Sequence, residues 1–329
     1  MSFYLFLFTP ESLDIGGQIY IIILVYMSHF GGIIMLVSTP IGVLKKNFGI
    51  HEALRILARA GFTAFDLTVF DIDEDNPLYN EGWQGYLDTI LDVCRETGIV
   101  CNQAHAPFTS RKIELPKNEW YNTRIQECII RTIEAAGYLG AKVVVVHPIT
   151  YKRYRDHKEF MDEKNFEFFR SLAPHAHKAG LKVGVENMLQ VDDDGQMIVA
   201  PCSDPDDFCR YIDTLGEDFT ACLDIGHCAL NGPRPAQMIH ALGADRLGAL
   251  HVHDNDGKRD LHQLPYHQAI DWEEILDALA DIGYRGDFTL EADNFYGRLP
   301  KELLEDAAGH MAKVSHHMVN HILARRGDK

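Results

Sequence analysis

Short apolar runs alternate with amphipathic stretches along most of this chain. From Met35 onward, eight runs share one form, an apolar segment that ends in polar residues. They are MLVSTP (35–40), AFDLTVF (64–70), VCNQAHAPF (100–108), AKVVVVHP (141–148), KVGVENM (182–188), TACLDIGH (220–227), LGALHVHDND (247–256) and DFTLEAD (287–293). Near-continuous Val, Ile and Leu is how parallel strands covered on both faces read. Between the runs, apolar residues recur every three or four positions, the period of a helix with one buried face. IHEALRILARAG (50–61) puts Leu54, Leu57 and Ala58 on one side, and NTRIQECIIRTIEAAGYLG (122–140), NFEFFRSLAPHAHKAG, DFCRYIDTLG and WEEILDALADIG repeat the pattern. Several of these end in Gly, a frequent helix C-cap. Strand then helix, eight times over, predicts a single-domain α/β fold, the (β/α)8 TIM barrel, over residues 35–329. A doubly wound sheet is the rival. It usually carries a Gly-rich turn after its first strand, and here that turn is STPIGVLKKN.

Residues 1–34 stand apart as an N-terminal extension. IYIIILVYM (19–27) is apolar but shorter than the roughly 20 residues of a membrane span. No Lys or Arg precedes Lys45, so a secretory signal would lack its positive start. Two readings stay open. Met35 is the true start, with the Gly31-Gly32 codons acting as a ribosome-binding site, so that 1–34 is untranslated; or the extension is real and disordered.

Composition narrows the partners. The net charge is −17, from 48 acidic and 31 basic residues. That field repels a phosphate backbone, so nucleic acid is not a favoured partner. The seven cysteines include no CxxC pair, which speaks against a disulfide framework or a cysteine zinc site and for a reducing cytoplasm. No membrane partner is expected, and a homo-oligomer is open, dimers being the commonest assembly.

In a barrel of this kind the site lies where the strands end. The third run ends in His105, the fourth in His147, the fifth in Glu186, the sixth in Asp224 and His227, the seventh in His253 and Asp254, and the eighth in Glu291. Six consecutive strands thus deliver metal-ligand residue types to one rim. Alternation puts Gly184 and Glu186 on one face of the fifth strand, and a Glu buried there needs a partner such as a divalent cation. In LHVHD, His251 and His253 point the same way. His253 is nearer the rim and is the expected ligand, with His251 a hydrogen-bonded core residue one layer down.

GVEN, LDIGH, HVHDNDG followed by DLH, and LEAD, in this order and spacing, resemble the xylose isomerase-like TIM barrel superfamily. That group holds sugar isomerases and epimerases, inosose dehydratases and the endonuclease IV type of DNA-repair enzyme. The resemblance implies a divalent metal (Mn, Mg, Co or Zn), with ligands at Glu186, Asp224, His253 and Glu291. In the endonuclease IV type a larger set holds three zinc ions, and its further positions are similar to His105, His147, His227, Asp260 and His262 here. The resemblance thus implies His105, His147, Asp260 and His262 as candidate additional metal or substrate ligands.

Three functions compete. The first is metal-dependent isomerisation or epimerisation of a sugar, polyol or keto-sugar by proton transfer through an enediolate, with Glu186 and Glu291 as acid and base and His227 on a substrate oxygen. An inosose-dehydratase-like lyase is its near variant. The second is an endonuclease IV-like zinc phosphodiesterase acting on abasic DNA, which the acidic loops VDDDG (191–195), DIDEDN (71–76) and SDPDD (203–207) oppose. The third is a metal-stabilised binding protein. Phe108, Trp272 and Phe295 are candidate apolar walls, and Arg259 and His267 candidate substrate contacts. LPYHQAIDW (264–272) departs from the small residues usual before the Ile-Asp-Trp of the family. The lone cations Arg234, Lys258, Arg259 and Arg298 make a weak phosphate clamp, so a neutral substrate is favoured.

Overall fold

In the computed structural model, residues 35–108, 119–150, 153–232 and 234–327 are described. The expectations for residues 1–34 lie outside them. Met35–Gly327 form one compact unit. All eight expected runs contain strand residues: β1 (Val37–Ser38), β2 (Ala64–Thr68), β3 (Val100–His105), β4 (Val143–Val146), β5 (Lys182–Glu186), then a small hairpin of β6 (Gln190–Val191) and β7 (Met197–Ile198), then β8 (Phe219–Asp224), β9 (Leu247–His251) and β10 (Phe288–Thr289). The hairpin had no signal in the apolar pattern. Its turn is the VDDDG loop, where Asp192 Oδ1 accepts from the backbone N–H of Asp194 (3.0 Å) and Gln196 (2.9 Å).

The ladder differs in part from the expected barrel. Six strands form one curled, open parallel sheet in the order β2-β3-β4-β5-β8-β9, and β1 pairs with β10 as a separate parallel pair. Single bridges stand between the two, Pro40 with Asp66 and Val252 with Leu290. β1 and β10 are only two residues long, so each meets the larger sheet through a few backbone bonds, Asp66 N–H to the Thr39 carbonyl (3.0 Å) and Val252 N–H to the Thr289 carbonyl (2.9 Å), while Ser38 Oγ lies 2.9 Å from Thr289 Oγ1 between them. The chain is therefore an α/β domain with a six-stranded parallel sheet and flanking strands.

Side-chain alternation divides each strand between two environments. On one face Val144, Val146, Val183 and Val185 join the large core with Leu54, Leu57, Phe169 and Leu172 of the surrounding helices. On the other, Val143, Val145, Cys222 and Ala249 form a small separate cluster. The same inner face carries Gln103 and His105 on β3, Gly184 and Glu186 on β5, and Asp224 on β8. The helices follow the sequence period. Ile50–Ala60 buries Ile50, Ala53, Leu54, Ile56 and Leu57. Pro205–Leu215 starts at Asp204, whose side chain accepts from the N–H of Asp206 and Asp207, so the acid of the SDPDD loop serves as a helix cap. Lys158–Ala179 ends at Gly180 with φ +70°, a left-handed C-cap that glycine adopts without strain. Among the described residues no helix is long and apolar enough to cross a membrane.

Beyond β9, one buried carboxylate organises the loop that follows. Asp254 accepts from the backbone N–H of Asn255 (2.9 Å), Gln268 (2.9 Å) and Ile270 (3.1 Å), and from Trp272 Nε1 (3.2 Å). This ties the stretch carrying Asp260 and His262 to the sheet. Removing the acceptor strands several donors, each costing about 1–3 kcal/mol. Asp254→Ala is expected to lower the unfolding free energy by about 3 kcal/mol in a urea titration. Asp256→Ala, two residues on and partly exposed, should cost less than about 1 kcal/mol.

Candidate metal centre

The strand ends bring their polar residues together. β3 stops at His105, β5 at Glu186, β8 at Asp224 and β9 at His251, while His147 follows β4 directly and Glu291 lies just past β10. All six are buried. Glu186 is central. Its Oε2 is 2.9 Å from His147 Nε2 and 3.4 Å from His105 Nε2, and its Oε1 is 3.3 Å from His251 Nδ1. His251 Nδ1 is also 3.1 Å from Glu291 Oε2. Ligand-type atoms fall into three tight groups, each within 4.8 Å: His105, Glu186 and His251; Glu186, Asp224, His251 and Glu291; and His227, His253, Asp260 and His262.

One assignment changes. His251, expected as a core histidine, joins Glu186, Asp224 and Glu291, while His253 falls in the third group. Regular alternation stops there because β9 ends at His251, and the chain continues only through single bridges, Val252 to Leu290 and Asp254 to Gln263. His253 Nε2 instead lies 3.1 Å from Asp224 Oδ1, and its ring stacks on His262 with centroids 4.0 Å apart. The ring fits only because residue 226 is glycine: a Cβ there would sit 1.9 Å from His253 Cε1.

Backbone bonds hold the ligand-bearing ends in register. Asn187, next to Glu186, donates from Nδ2 to the Asp224 carbonyl (2.9 Å) and accepts on Oδ1 from the Asp224 N–H (2.7 Å). Asp224 caps the helix Ile225–Asn231 by accepting from the His227 N–H at 2.7 Å. His227 then reaches Asp260 (3.4 Å), which His262 also meets at 3.1 Å.

The electrostatics call for positive charge. Burial opposes ionisation of Glu186, but the imidazoles of His147 and His251 hold its carboxyl well below the ordinary range. Burial likewise opposes protonation of His227, yet Asp224 and Asp260 push it up to about 10. A divalent cation answers the same demand, and two atoms fit one. Glu186 Oε2 is buried with imidazole nitrogens close by but no aligned hydrogen bond, and His253 Nδ1 is buried with no hydrogen-bond partner. Imidazole and carboxylate donors suit Zn, Mn or Co.

Above these groups opens a cavity of about 640 Å³. Glu186, Glu291, His147, His227, Asp260 and His262 form its polar side. Phe70, Phe108, Ile72, Ile125, Met188 and Leu189 form its apolar side, where the Phe70 and Phe108 rings stack at 4.4 Å. Phe108 was expected; Phe70 closes the AFDLTVF run and was not singled out. Asp293 was also missed, though it stands in LEAD. It lines the cavity with Oδ1 lacking a hydrogen-bond partner, and burial, with Glu291 nearby, pushes its carboxyl up to about 7. Three expected contacts are not brought there. Arg259 pairs with Asp256 at 2.8 Å, His267 packs on Phe295 and His310, and Trp272 is buried against Asp254. Phe295 is likewise not part of the cavity wall.

The xylose isomerase-like TIM barrel family matches residues 54–314. The chain belongs to that family. Within and beyond it, the chain is 27% identical over 262 residues to an uncharacterized protein of Sinorhizobium fredii, covering 74% of this chain and 81% of that one. It is 31% identical over 206 residues to an uncharacterized protein of Methanocaldococcus jannaschii, covering 61% and 68%. Among solved structures the family fold recurs in a D-allulose 3-epimerase from Methylomonas sp. (TM-score 0.66, 15% identity, 88% of this chain and 98% of that one). It recurs also in the 3-keto-D-glucoside 4-epimerase YcjR from E. coli (TM-score 0.63, 19% identity, 85% and 100%).

Gly226→Ala tests the packing of the group that His253 joins. The added methyl forces the His253 ring aside, an overpacking cost of about 1–3 kcal/mol. A lowered urea midpoint, together with displaced His253 imidazole resonances, is the expected result. An unchanged midpoint would show that the ring is free to move.

Proposed function

We propose that this protein is a divalent-metal-dependent sugar isomerase or epimerase that works by proton transfer. The observation that carries the reading is the pair Glu186 and Glu291, which approach His251 Nδ1 at 3.3 and 3.1 Å on the floor of a two-faced cavity. A divalent cation there supplies a Lewis acid that polarises a substrate carbonyl and makes the neighbouring C–H more acidic. Glu186, Asp224, His251 and Glu291 would hold it.

Glu186 and Glu291 stand on different strands. They can therefore approach a bound ketose or keto-sugar from two sides, one removing the proton on the carbon beside its carbonyl and the other returning it. His227, charged through Asp224 and Asp260, would donate to a substrate oxygen. The Phe70 and Phe108 rings would cover the C–H face of the substrate and keep water away. No Lys or Arg lines the described wall of the cavity, which favours a neutral substrate over a phosphorylated one. The single bridges at Pro40–Asp66 and Val252–Leu290 would close the sheet into an eight-stranded barrel around this floor. A cytoplasmic setting fits the seven free cysteines.

The third ligand group favours one second reading, a centre of several ions that hydrolyses a phosphodiester. His227, His253, Asp260 and His262 could hold an ion of their own, and His105 and His147, whose Nε2 atoms lie 3.4 and 2.9 Å from Glu186 Oε2, another with Glu186. The net charge of −17 weighs against a DNA substrate.

Metal counting on purified protein separates the two: about one ion per chain supports the isomerase, and about three zincs the hydrolase. Incubating candidate ketoses in heavy water should place deuterium on carbon, read by NMR. No incorporation from any ketose, aldose or cyclic polyol would overturn proton-transfer isomerisation. Glu186→Gln should lose turnover by at least about 1,000-fold while keeping its circular dichroism and urea midpoint. Unchanged turnover would remove Glu186 from the mechanism.

A further inference from the structure

An apolar surface faces solvent beside the cavity and begins inside it. The hairpin of β6 and β7 pairs Gln190 with Ile198 and Val191 with Met197. Paired residues share a face and neighbours along a strand alternate, so Val191 and Met197 stand on one side and Gln190 and Ile198 on the other. Leu189, one step before β6, and Val199, one step after β7, fall on the side of Val191. The Gln190 side is the packed one: Ile198 is buried, and Gln190 Oε1 accepts from the Tyr154 N–H at 2.9 Å. The Val191 side is open, with Val191 48% and Val199 46% exposed. Leu189 belongs to both surfaces, since it also lines the cavity beside Met188. Just past β2 and β3, Phe70 and Phe108 are 41% and 42% exposed, yet their rings meet His105 at 5.0 Å and His147 at 4.8 Å between centroids. The apolar wall therefore runs from the ligand groups out to the hairpin.

A free monosaccharide accounts for the polar floor alone. Its hydroxyls match the carboxylates and imidazoles there, and it offers nothing to four aliphatic side chains at the rim. Contiguous apolar patches on a protein surface mark binding sites. A cavity of about 640 Å³ is also in the range that holds drug-sized ligands. We propose that the substrate is a keto-sugar carrying a neutral apolar substituent, an aryl or alkyl group, that leaves the cavity past Leu189 and lies on the open face of the hairpin. The hairpin turn carries Asp192, Asp193 and Asp194, which repel an anionic substituent. The same acids, on a chain of net charge −17, oppose a second copy of the chain as the occupant. The proposal names a substrate class for the isomerase or epimerase proposed above and rests on that reading.

The test is calorimetric titration of the full chain, in the presence of Mn2+, with matched methyl and 4-nitrophenyl β-D-glycosides of glucose, galactose and xylose as non-reacting probes. In at least one pair the 4-nitrophenyl member should bind about 10-fold or more tightly than the methyl member, the worth of one partly buried ring. The double variant Val191→Ser/Val199→Ser should lose that preference while keeping the methyl affinity and the urea midpoint. Both residues are exposed, so the variant is expected to fold. Equal binding within every pair, no binding by any glycoside, or a preference that survives in the double variant overturns the proposal. So does sedimentation showing a wild-type dimer that the double variant breaks, because the face is then an interface between copies. Deuterium exchange in heavy water separates this proposal from the reading beneath it. Exchange from a free ketose with no aryl preference sinks the substituent and leaves the isomerase standing. An aryl preference with no exchange from any keto-sugar sinks the isomerase, and the substrate class with it, leaving an apolar binding face.

Discussion

A carboxylate cannot be buried for nothing, and Glu186 is buried at the meeting point of four strands. Taking such a charge out of water costs several kcal/mol unless partners neutralise it. The structure answers with imidazoles on β3, after β4 and on β9, all within 3.4 Å of its carboxylate. Asn187 fixes the β5 end to the β8 end, and Asp254 fixes the loop that carries Asp260 and His262. The registers of β3, β5, β8 and β9 are thus set not only by their ladders but by a charge that must be met from several sides. A one-residue slip of β3 or β9 would turn its histidine to the helices and leave Glu186 short of a partner.

Much of this was legible along the chain because it depends on periods. Eight apolar runs, the helices between them and the polar residue at each run's end are all local statements about alternation. His105, His147, Glu186, Asp224 and Glu291, which end or follow these runs, are brought together in the fold. The errors arise where the period stops. His251 and His253 cannot be ordered by alternation once β9 ends and the chain continues only through single bridges. Arg259, His267 and Trp272 sit in a loop shaped by Asp254, and nothing in the loop's own sequence says which side chains turn inward. Phe70 and Asp293 each follow a strand by a residue or more, where direction is set by tertiary contacts. The hairpin at Gln190–Val191 and Met197–Ile198 is too short to leave a period at all.

The acidic rim has a second meaning in three dimensions. Read as charge alone, VDDDG, DIDEDN and SDPDD form a field hostile to phosphate. In the fold many of these carboxylates are also structural acceptors: Asp71 for the Asp73 N–H, Asp192 for Asp194 and Gln196, Asp204 for Asp206 and Asp207. Asp207 meets Lys158 and Arg210 in a network with Asp162 and Tyr154. Short polar side chains that bond their own backbone are what tight turns and caps require. The same acids that shape the rim loops therefore also set its potential, which favours cations and neutral ligands over anions.

The two faces of the sheet divide the work between stability and chemistry. On the outer face Val144, Val146, Val183 and Val185 pack against helices in a continuous apolar core. Each such side chain contributes about 1.5–3 kcal/mol when fully buried. The inner face holds only a small apolar cluster at Val143, Val145, Cys222 and Ala249, and above it the polar residues begin. An interior of this kind adds little net stability, since buried hydrogen bonds and ion pairs roughly offset their own desolvation. That separation lets ligand-type residues accumulate at the strand ends while the apolar contacts of the fold stay on the outer face.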